Sequence, residues 1–314
     1  MAVKAAATAI LLAAIASGPR ATVSISAQAV PSSSYLCPMH PDVVARTPGS
    51  CPRCGMALAA ADPYDAREFL VDAAFTPAAP RAGVRSRLRL TVREPATRAI
   101  VKQFVEVHEK RFHLFVIASD LEHYDHVHPE QRADGSWIAD VTLPRPGFYK
   151  LYADFLPLGG LPQVVPMSIA TAGFTGSLAS GRARLVPDET MTRTIGSMRV
   201  TLTLPRDGLV AGRDETLQYH IVDAATGSAV TDIEPYLAAF GHTLVLSEDT
   251  LQYVHAHPVE LLPENPVTAA GGPDLTFKAL LPKPGRYRVW TQLKRRGVVS
   301  TVSFTVAART PASR

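Results

Sequence analysis

Cysteine is scarce in this sequence: three residues in 314, Cys37, Cys51 and Cys54. An odd number crowded into one short stretch cannot be the disulfide framework of a large chain, and unpaired thiols in an oxidising compartment need an occupant. Charge of one sign is also lacking. Thirty-two Lys and Arg against 28 Asp and Glu leave a formal +4, too slight a bias for a nucleic-acid or anionic-membrane partner. Beyond the N-terminus no apolar run reaches the roughly 18 residues of a membrane helix, so no membrane span is expected once a leader is removed. Helical periodicity is rare. No nucleophile elbow, phosphate loop or dinucleotide fingerprint occurs, and an enzyme is not expected.

The N-terminus has the pattern of a secretory leader. Lys4 supplies the positive start, residues 5–16 are apolar around Ile10, Leu11, Leu12 and Ile15, and Ala27-Gln28-Ala29 offers a small-x-small cleavage site. A signal peptide over 1–29 is expected, with an uncleaved anchor as the alternative, and hence a periplasmic or secreted protein. Removing Lys4 and Arg20 with the leader would bring the charge to +2.

From about Arg67 onward short alternating strands, such as Leu88-Arg89-Leu90-Thr91-Val92 and Val200-Thr201-Leu202-Thr203-Leu204, are broken by 26 Pro and 20 Gly. That texture predicts β-sandwiches. The sequence also repeats. Residues 70–129 overlay 199–258 at a shift of 129 without a gap, placing Gly83 on Gly212, His113 on His242, Asp120 on Asp249, Tyr124 on Tyr253, His126 on His255 and His128 on His257. After a nine-residue insertion near Pro263 to Gly272, residues 143–149 answer 281–287. A period this long marks two copies of a domain rather than a solenoid. The predicted organisation is a leader (1–29), a Cys-rich segment (30–63), a first β-sandwich (64–172), a linker (173–190), a second β-sandwich (191–309) and a tail (310–314).

In the Cys-rich segment two residues separate Cys37 from His40, and two separate Cys51 from Cys54. Such a gap lets one turn aim both side chains at one ion, and Gly55 permits the tight conformation that follows. Together the four suit a tetrahedral site for Zn(II); with the thioethers of Met39 and Met56 they suit the softer Cu(I) or Ag(I). With so little apolar material, metal binding is expected to supply most of the segment's folding energy. The alternatives are a disulfide within a spacer, or a Cys51–Cys54 redox pair without the βαβ pattern that accompanies one. The run CPMHP, then PG, then CPRCGMAL resembles the heavy-metal-binding domain found near the N-termini of some copper-transporting P-type ATPases and on periplasmic adaptors of copper and silver efflux pumps. The resemblance implies metal handling, with Cys37, His40, Cys51 and Cys54 at the ligand positions and a metal exporter or cuproenzyme as a possible partner. It covers about 25 residues, and the pump's membrane region, its phosphorylation motif and the adaptor's helical hairpin are all missing.

The repeats carry histidines of their own. An H-x-H pair on a strand turns both imidazoles to one face, so His126 with His128, and His255 with His257, could each join the preceding His113 or His242 in a three-nitrogen site suited to Cu(II) or Zn(II). Asp120 and Asp249 could orient the rings. Against this, Phe115 and Ile117 share the face of His113 and look like core, so the histidines could be structural. His123 lies opposite Gln252, and His108 and His220 have no histidine opposite them, which makes all three expendable. The repeats resemble, more loosely, immunoglobulin-like domains of exported bacterial proteins that accompany copper-resistance systems. The reading is a mainly β protein: a small Cys-rich metal knuckle followed by two tandem immunoglobulin-like β-sandwiches, exported to buffer, deliver or sequester a transition metal. The competing reading is an exported structural or protein-interaction module with a zinc-stabilised knuckle.

Overall fold

The computed structural model of the chain describes residues 34–177, 181–263 and 269–312, all within one compact unit. The expected leader, 1–29, lies outside the described residues. Among those described, no helix is long and apolar enough to cross a membrane.

The Cys-rich segment folds as a three-stranded antiparallel sheet of two-residue strands, β1 (Tyr35–Leu36), β2 (Val44–Ala45) and β3 (Ala59–Ala60), ordered β2-β1-β3. The expectation that an ion supplies most of its folding energy needs amendment, because the knuckle is not isolated. Leu36 and Ala61 are fully buried. Ala61 bridges to Gly159 of the first sandwich, and Gly55 lies so close to Leu261 of the second that a Cβ there would meet its side chain at 2.9 Å. Gly55 also has φ +72°, which L-residues rarely adopt.

The first sandwich contains β4 (Leu70–Thr76), β5 (Arg85–Arg93), β6 (Phe104–Val105), β7 (Phe112–Ala118), β8 (Tyr124–Val127), β9 (Glu130–Gln131), β10 (Trp137–Thr142), β11 (Phe148–Pro157) and β12 (Gln163–Ala170). The second contains β13 (Thr192–Ile195), β14 (Met198–Thr203), β15 (Leu209–Val210), β16 (Asp214–Asp223), β17 (Ile233–Glu234), β18 (His242–Ser247), β19 (Tyr253–Ala256), β20 (Asp274–Leu280), β21 (Gly285–Arg295) and β22 (Val298–Arg309). The sequence repeat appears as matched topology. Strands β4-β5-β10 answer β14-β16-β20, and β12-β11-β7-β8 answer β22-β21-β18-β19. Each sandwich fills its interior with alternate residues of its two sheets, for example Leu88, Leu90, Leu114, Val116 and Leu151 in the first, and Leu217, Tyr219, Val245, Phe277 and Val289 in the second. At the start of β11 the Tyr149 hydroxyl donates to Arg145 O at 2.8 Å, and at the start of β21 Tyr287 donates to Lys283 O at 2.6 Å.

Strands β7 and β18 are buried on both faces. One face joins its own sandwich. The other meets the opposite repeat in a third core containing Phe115, Ile117, Tyr152, Leu244, Leu246 and Trp290. This explains why His113-Leu-Phe-Val-Ile-Ala reads as an uninterrupted apolar run instead of alternating. Burying each such side chain contributes about 1.5–3 kcal/mol. The contacts are reciprocal, as in an isologous two-fold pairing: Tyr124 stacks on Trp290 at 5.2 Å, and its counterpart Tyr253 stacks on Tyr152, the counterpart of Trp290, at 5.3 Å. The segment joining the repeats is more than a tether, since Ala183 and Leu185 pack into this core and Leu185 N–H donates to Glu248 Oε1 at 2.6 Å.

Candidate metal centres

Around the knuckle, two turns bring four ligand atoms together. Cys37 N–H donates to Val43 O and Val43 N–H to His40 O in the first loop, Gly55 N–H donates to Cys51 O in the second, and Arg53 donates to Asp42 at 3.0 Å between them. The Cys37 Sγ–Cys54 Sγ distance is 3.5 Å, Cys51 Sγ–His40 Nδ1 is 3.6 Å and Cys37 Sγ–His40 Nδ1 is 3.7 Å. A tetrahedral Zn(II) site with 2.3 Å bonds to sulfur has edges of about 3.8 Å, so the set has the size of one ion. The three thiols form no disulfide. Donation of the Cys37 S–H to Cys54 pushes the Cys54 thiol below its ordinary pKa. The same bond and burial push Cys37 up to about 12. Cys54 therefore loses its proton before Cys37 does, giving the thiolate form that binds metal. Met39 and Met56 line clefts on different sides of the knuckle.

The second centre forms where the repeats meet. Antiparallel register pairs Phe115 with His126 and Leu114 with Val127, so one further step sets His113 opposite His128. The same register in the second repeat, Leu244 with His255 and Thr243 with Ala256, sets His242 opposite His257. Two groups of imidazole nitrogens, each within 4.8 Å of one another, result: His113, His126 and His128; and His108, His242 and His257. They adjoin, with the His126 and His242 rings 6.2 Å apart. His255 stands between them, its ring 5.6 Å from that of His242 and 5.9 Å from that of His113.

Each anchor histidine is held from behind. His113 donates Nε2–H to Val107 O at 2.9 Å, and His242 donates Nε2–H to Tyr236 O at 2.9 Å. A carbonyl oxygen only accepts, so in the neutral rings Nδ1 carries the free lone pair. His126 donates Nδ1–H to Gln292 Oε1 at 2.9 Å, leaving its Nε2 to face His113 Nδ1 at 3.1 Å. In the second repeat His255 Nδ1 points at Asp154 Oδ2 (3.4 Å), His255 Nε2 faces His242 Nδ1 (3.4 Å) and His257 Nε2 faces the same atom (2.8 Å). The holding groups are exchanged between repeats: Asp154 of the first serves the second, and Gln292 of the second serves the first. Tyr253 O–H also donates to Asp154 Oδ2, at 2.8 Å.

Burial lowers the pKa of six histidines here, and proximity to other imidazoles adds to it. His108 and His128 are brought down to about 3, and His113, His126, His242 and His257 are also lowered. They are neutral near pH 7. Convergent neutral imidazoles offer several lone pairs to a point between them, an arrangement that a cation satisfies. Bonds of about 2.0–2.1 Å to such a cation would give nitrogen–nitrogen edges near 3.3 Å, close to the separations here.

Three sequence expectations need correction. His108, expected to be expendable, stacks on His257 with ring centroids 3.6 Å apart, and both of its ring nitrogens are buried without a hydrogen-bond partner in the protein. Its counterpart is Leu237, so comparing the repeats hides it. No sequence signal marks it: the tight turn that places it has φ 51° and 61° at His108 and Glu109, as Leu237 and Ala238 have 53° and 56°, without the Asn-Gly or Asp-Gly pair such turns favour. Next, the second group takes in His108, whereas His255 packs between the two groups. Finally, Asp120 and Asp249 orient no imidazole. They lie in the turns after β7 and β18, where Asp120 accepts from Glu122 N–H and Arg145, and Asp249 accepts from Leu251 N–H and Ser247. Roughly 20 Å of strand separates each from the ring it was to orient. The groups that do this work, Asp154 and Gln292, occupy matching positions once 143–149 is aligned with 281–287 and continued along β11 and β21. Of the others, His123 packs edge-on to Tyr149 and His220 pairs with Asp274 on the surface, both away from the centre.

Comparison with known proteins matches both parts of the chain. Residues 34–61 match the model of a heavy metal binding domain. Residues 70–173 and 193–310 match the model described as a domain of unknown function (DUF8832). A copper-transporting P-type ATPase of Rhizobium leguminosarum bv. viciae is 71% identical over 24 residues, which is 8% of this chain and 3% of that protein. The chain thus spans only a small fraction of that relative's length. Among solved structures, the Escherichia coli adhesin FdeC shares 11% identity at a TM-score of 0.25, covering 77% of this chain and 64% of that one. Fibronectin(III)-like modules of Clostridium thermocellum CbhA share 14% at 0.19, covering 77% and 95%. Likenesses this distant carry no inference.

Proposed function

This chain belongs to the family described as a domain of unknown function (DUF8832) and carries a metal-binding Cys/His cluster that fits a transition metal, and from that premise we propose that it is an exported protein that binds copper or silver, or else zinc, as cargo, for buffering, delivery or resistance. One observation carries this reading furthest. At the junction of the repeats, histidines held from behind by Val107 O, Tyr236 O, Gln292 and Asp154 turn ring nitrogens toward one another at 3.1 and 3.4 Å. Backing acceptors of this kind fix the tautomer and orientation of metal-bound histidines. The knuckle supplies three sulfurs and one nitrogen, which suit Cu(I) or Ag(I); the imidazole groups suit copper or Zn(II). The ion is bound and passed on without catalysis, and its onward partner would be a metal exporter or a cuproenzyme.

The tyrosine bonds at Arg145 and Lys283, with the matched sheet orders, support an immunoglobulin-like reading of each sandwich. Export to the periplasm or beyond is supported by the leader pattern at 1–29.

Native mass spectrometry of the reduced chain tests the proposal. At least one ion should be bound at the knuckle and be lost on Cys51→Ser with Cys54→Ser. Further ions should be lost on His126→Ala with His128→Ala while the melting temperature holds. Binding of Zn(II) alone, too tight to pass to a chelator, would instead favour the docking-module reading, and no bound ion at either place would end the proposal.

A further inference from the structure

The two centres face each other. A cleft of about 410 Å³ has Met39, His40 and Cys54 of the knuckle on one wall and His255 and His257 on the other. A smaller cavity, about 20 Å³, has Met39 on one side and His108, His113, Asp154 and His255 on the other. A third cleft, about 480 Å³, is lined by Cys54 and Met56 of the knuckle and by His108. In all three spaces knuckle residues form one wall and histidines of the inter-repeat centre form the other. The deepest of those histidines are nearly sealed, His113 at 3% exposure and His242 at 1%, whereas His40 and Cys54 are partly open to solvent.

Resting on the metal-binding reading above, we infer that the knuckle is the loading port of the histidine centre, receiving the ion at Cys37, His40, Cys51 and Cys54 and handing it across the cleft to His255 and His257, with Met39 as the intermediate ligand. The transfer is a ligand exchange. Bonds from the ion to His40 and to the sulfurs of Cys37, Cys51 and Cys54 break in turn as bonds to Met39 Sδ and then to the imidazole nitrogens form. The oxidation state of the ion is unchanged, and the thiolates left behind stay as thiolates or take protons from water. Met39 suits the role by chemistry and by place. A thioether binds Cu(I) without holding a proton that must first be lost, and Met39 borders both the large cleft and the small cavity. Its neighbour in sequence, His40, is itself among the four converging knuckle residues.

The test supplies the full chain with Cu(I) from a weak chelator, anaerobically and in excess of what the knuckle holds. Rapid-freeze X-ray absorption at the copper edge, which separates sulfur from nitrogen neighbours, then follows arrival at the histidines. Intramolecular delivery raises the effective concentration of the ion. Histidine loading should therefore slow by roughly tenfold or more in the Cys51→Ser, Cys54→Ser chain, with the same final occupancy. Because that change could unfold the knuckle, Met39→Leu serves as the second variant: it keeps the apolar volume, removes the sulfur and should also slow loading. Equal rates in all three chains would overturn the relay and leave the metal-binding reading intact. Copper that stays on the knuckle and never reaches the histidines in any chain would overturn the relay alone, and copper bound at neither place would overturn both.

Discussion

His108 of the first repeat lies flat against His257 of the second, their ring centroids 3.6 Å apart and their planes 24° apart. The contact adds a ring to one imidazole group that the repeat symmetry would not supply, because the counterpart of His108 is Leu237. Burial and several like neighbours keep both rings neutral, so their nitrogens are free to bind a cation.

His108→Leu, which puts the second repeat's own residue at this position, should weaken the His242/His257 group for Cu(II) or Zn(II) by roughly tenfold or more. The knuckle should keep its ion. Isothermal titration of the single-site components would show it, and an unchanged affinity would return His108 to a packing role.

The exchanged supports make a paired prediction. Asp154 serves His255, and Gln292 serves His126. Asp154→Asn, by freeing His255, whose Nε2 faces His242 Nδ1, should weaken chiefly the second repeat's group, and Gln292→Leu chiefly the first repeat's, each by about 10–100-fold. Spectroscopic titration with Co(II) or Cu(II) can follow the two groups separately. Equal damage to both groups from either change would contradict the division of labour.

Acid should destabilise the metal-free protein. In the folded chain His108 and His128 titrate at about 3, against 6.5 for an unperturbed histidine. Between those values the unfolded chain binds more protons, so stability falls as pH falls. The contribution is complete above about 6.5 and is lost progressively toward 3. Denaturant melts of the apo chain at descending pH should show this loss, and replacing both residues with Leu should flatten it. A profile unaffected by that replacement would show that these rings do not govern the acid limb.

Phe115 is fully buried in the core between the repeats and stacks on His126 at 4.2 Å. Phe115→Ala should cost about 3–5 kcal/mol. It should also loosen the His126 ring, reducing affinity at the first group together with thermal stability. A stability loss with undiminished metal affinity would mean that the histidines are held independently of this core.

Much of this was legible beforehand because it is local. Two-residue gaps and Gly55 specify the knuckle turns, alternating runs specify strands, and the shift of 129 specifies the duplication. The triplet His113, His126 and His128 could also be read, since it comes from two neighbouring strands of one hairpin. Asp154, Gln292 and His108 could not, because each acts on a ring of the other repeat, more than a hundred positions away. Nearby polar residues misled for the same reason. Asp120 is close to His113 along the chain but at the opposite end of an extended strand.

The sequence by itself determined which four side chains of the knuckle converge and the existence of two matching β-domains, because covalent spacing and side-chain periodicity act over a few residues. Only the tertiary structure decided that the repeats pack face to face, that the support groups cross between them, and that the knuckle sits over the histidines. Those relations depend on which apolar faces find each other when both domains bury them, and no spacing within a single strand or turn encodes that choice.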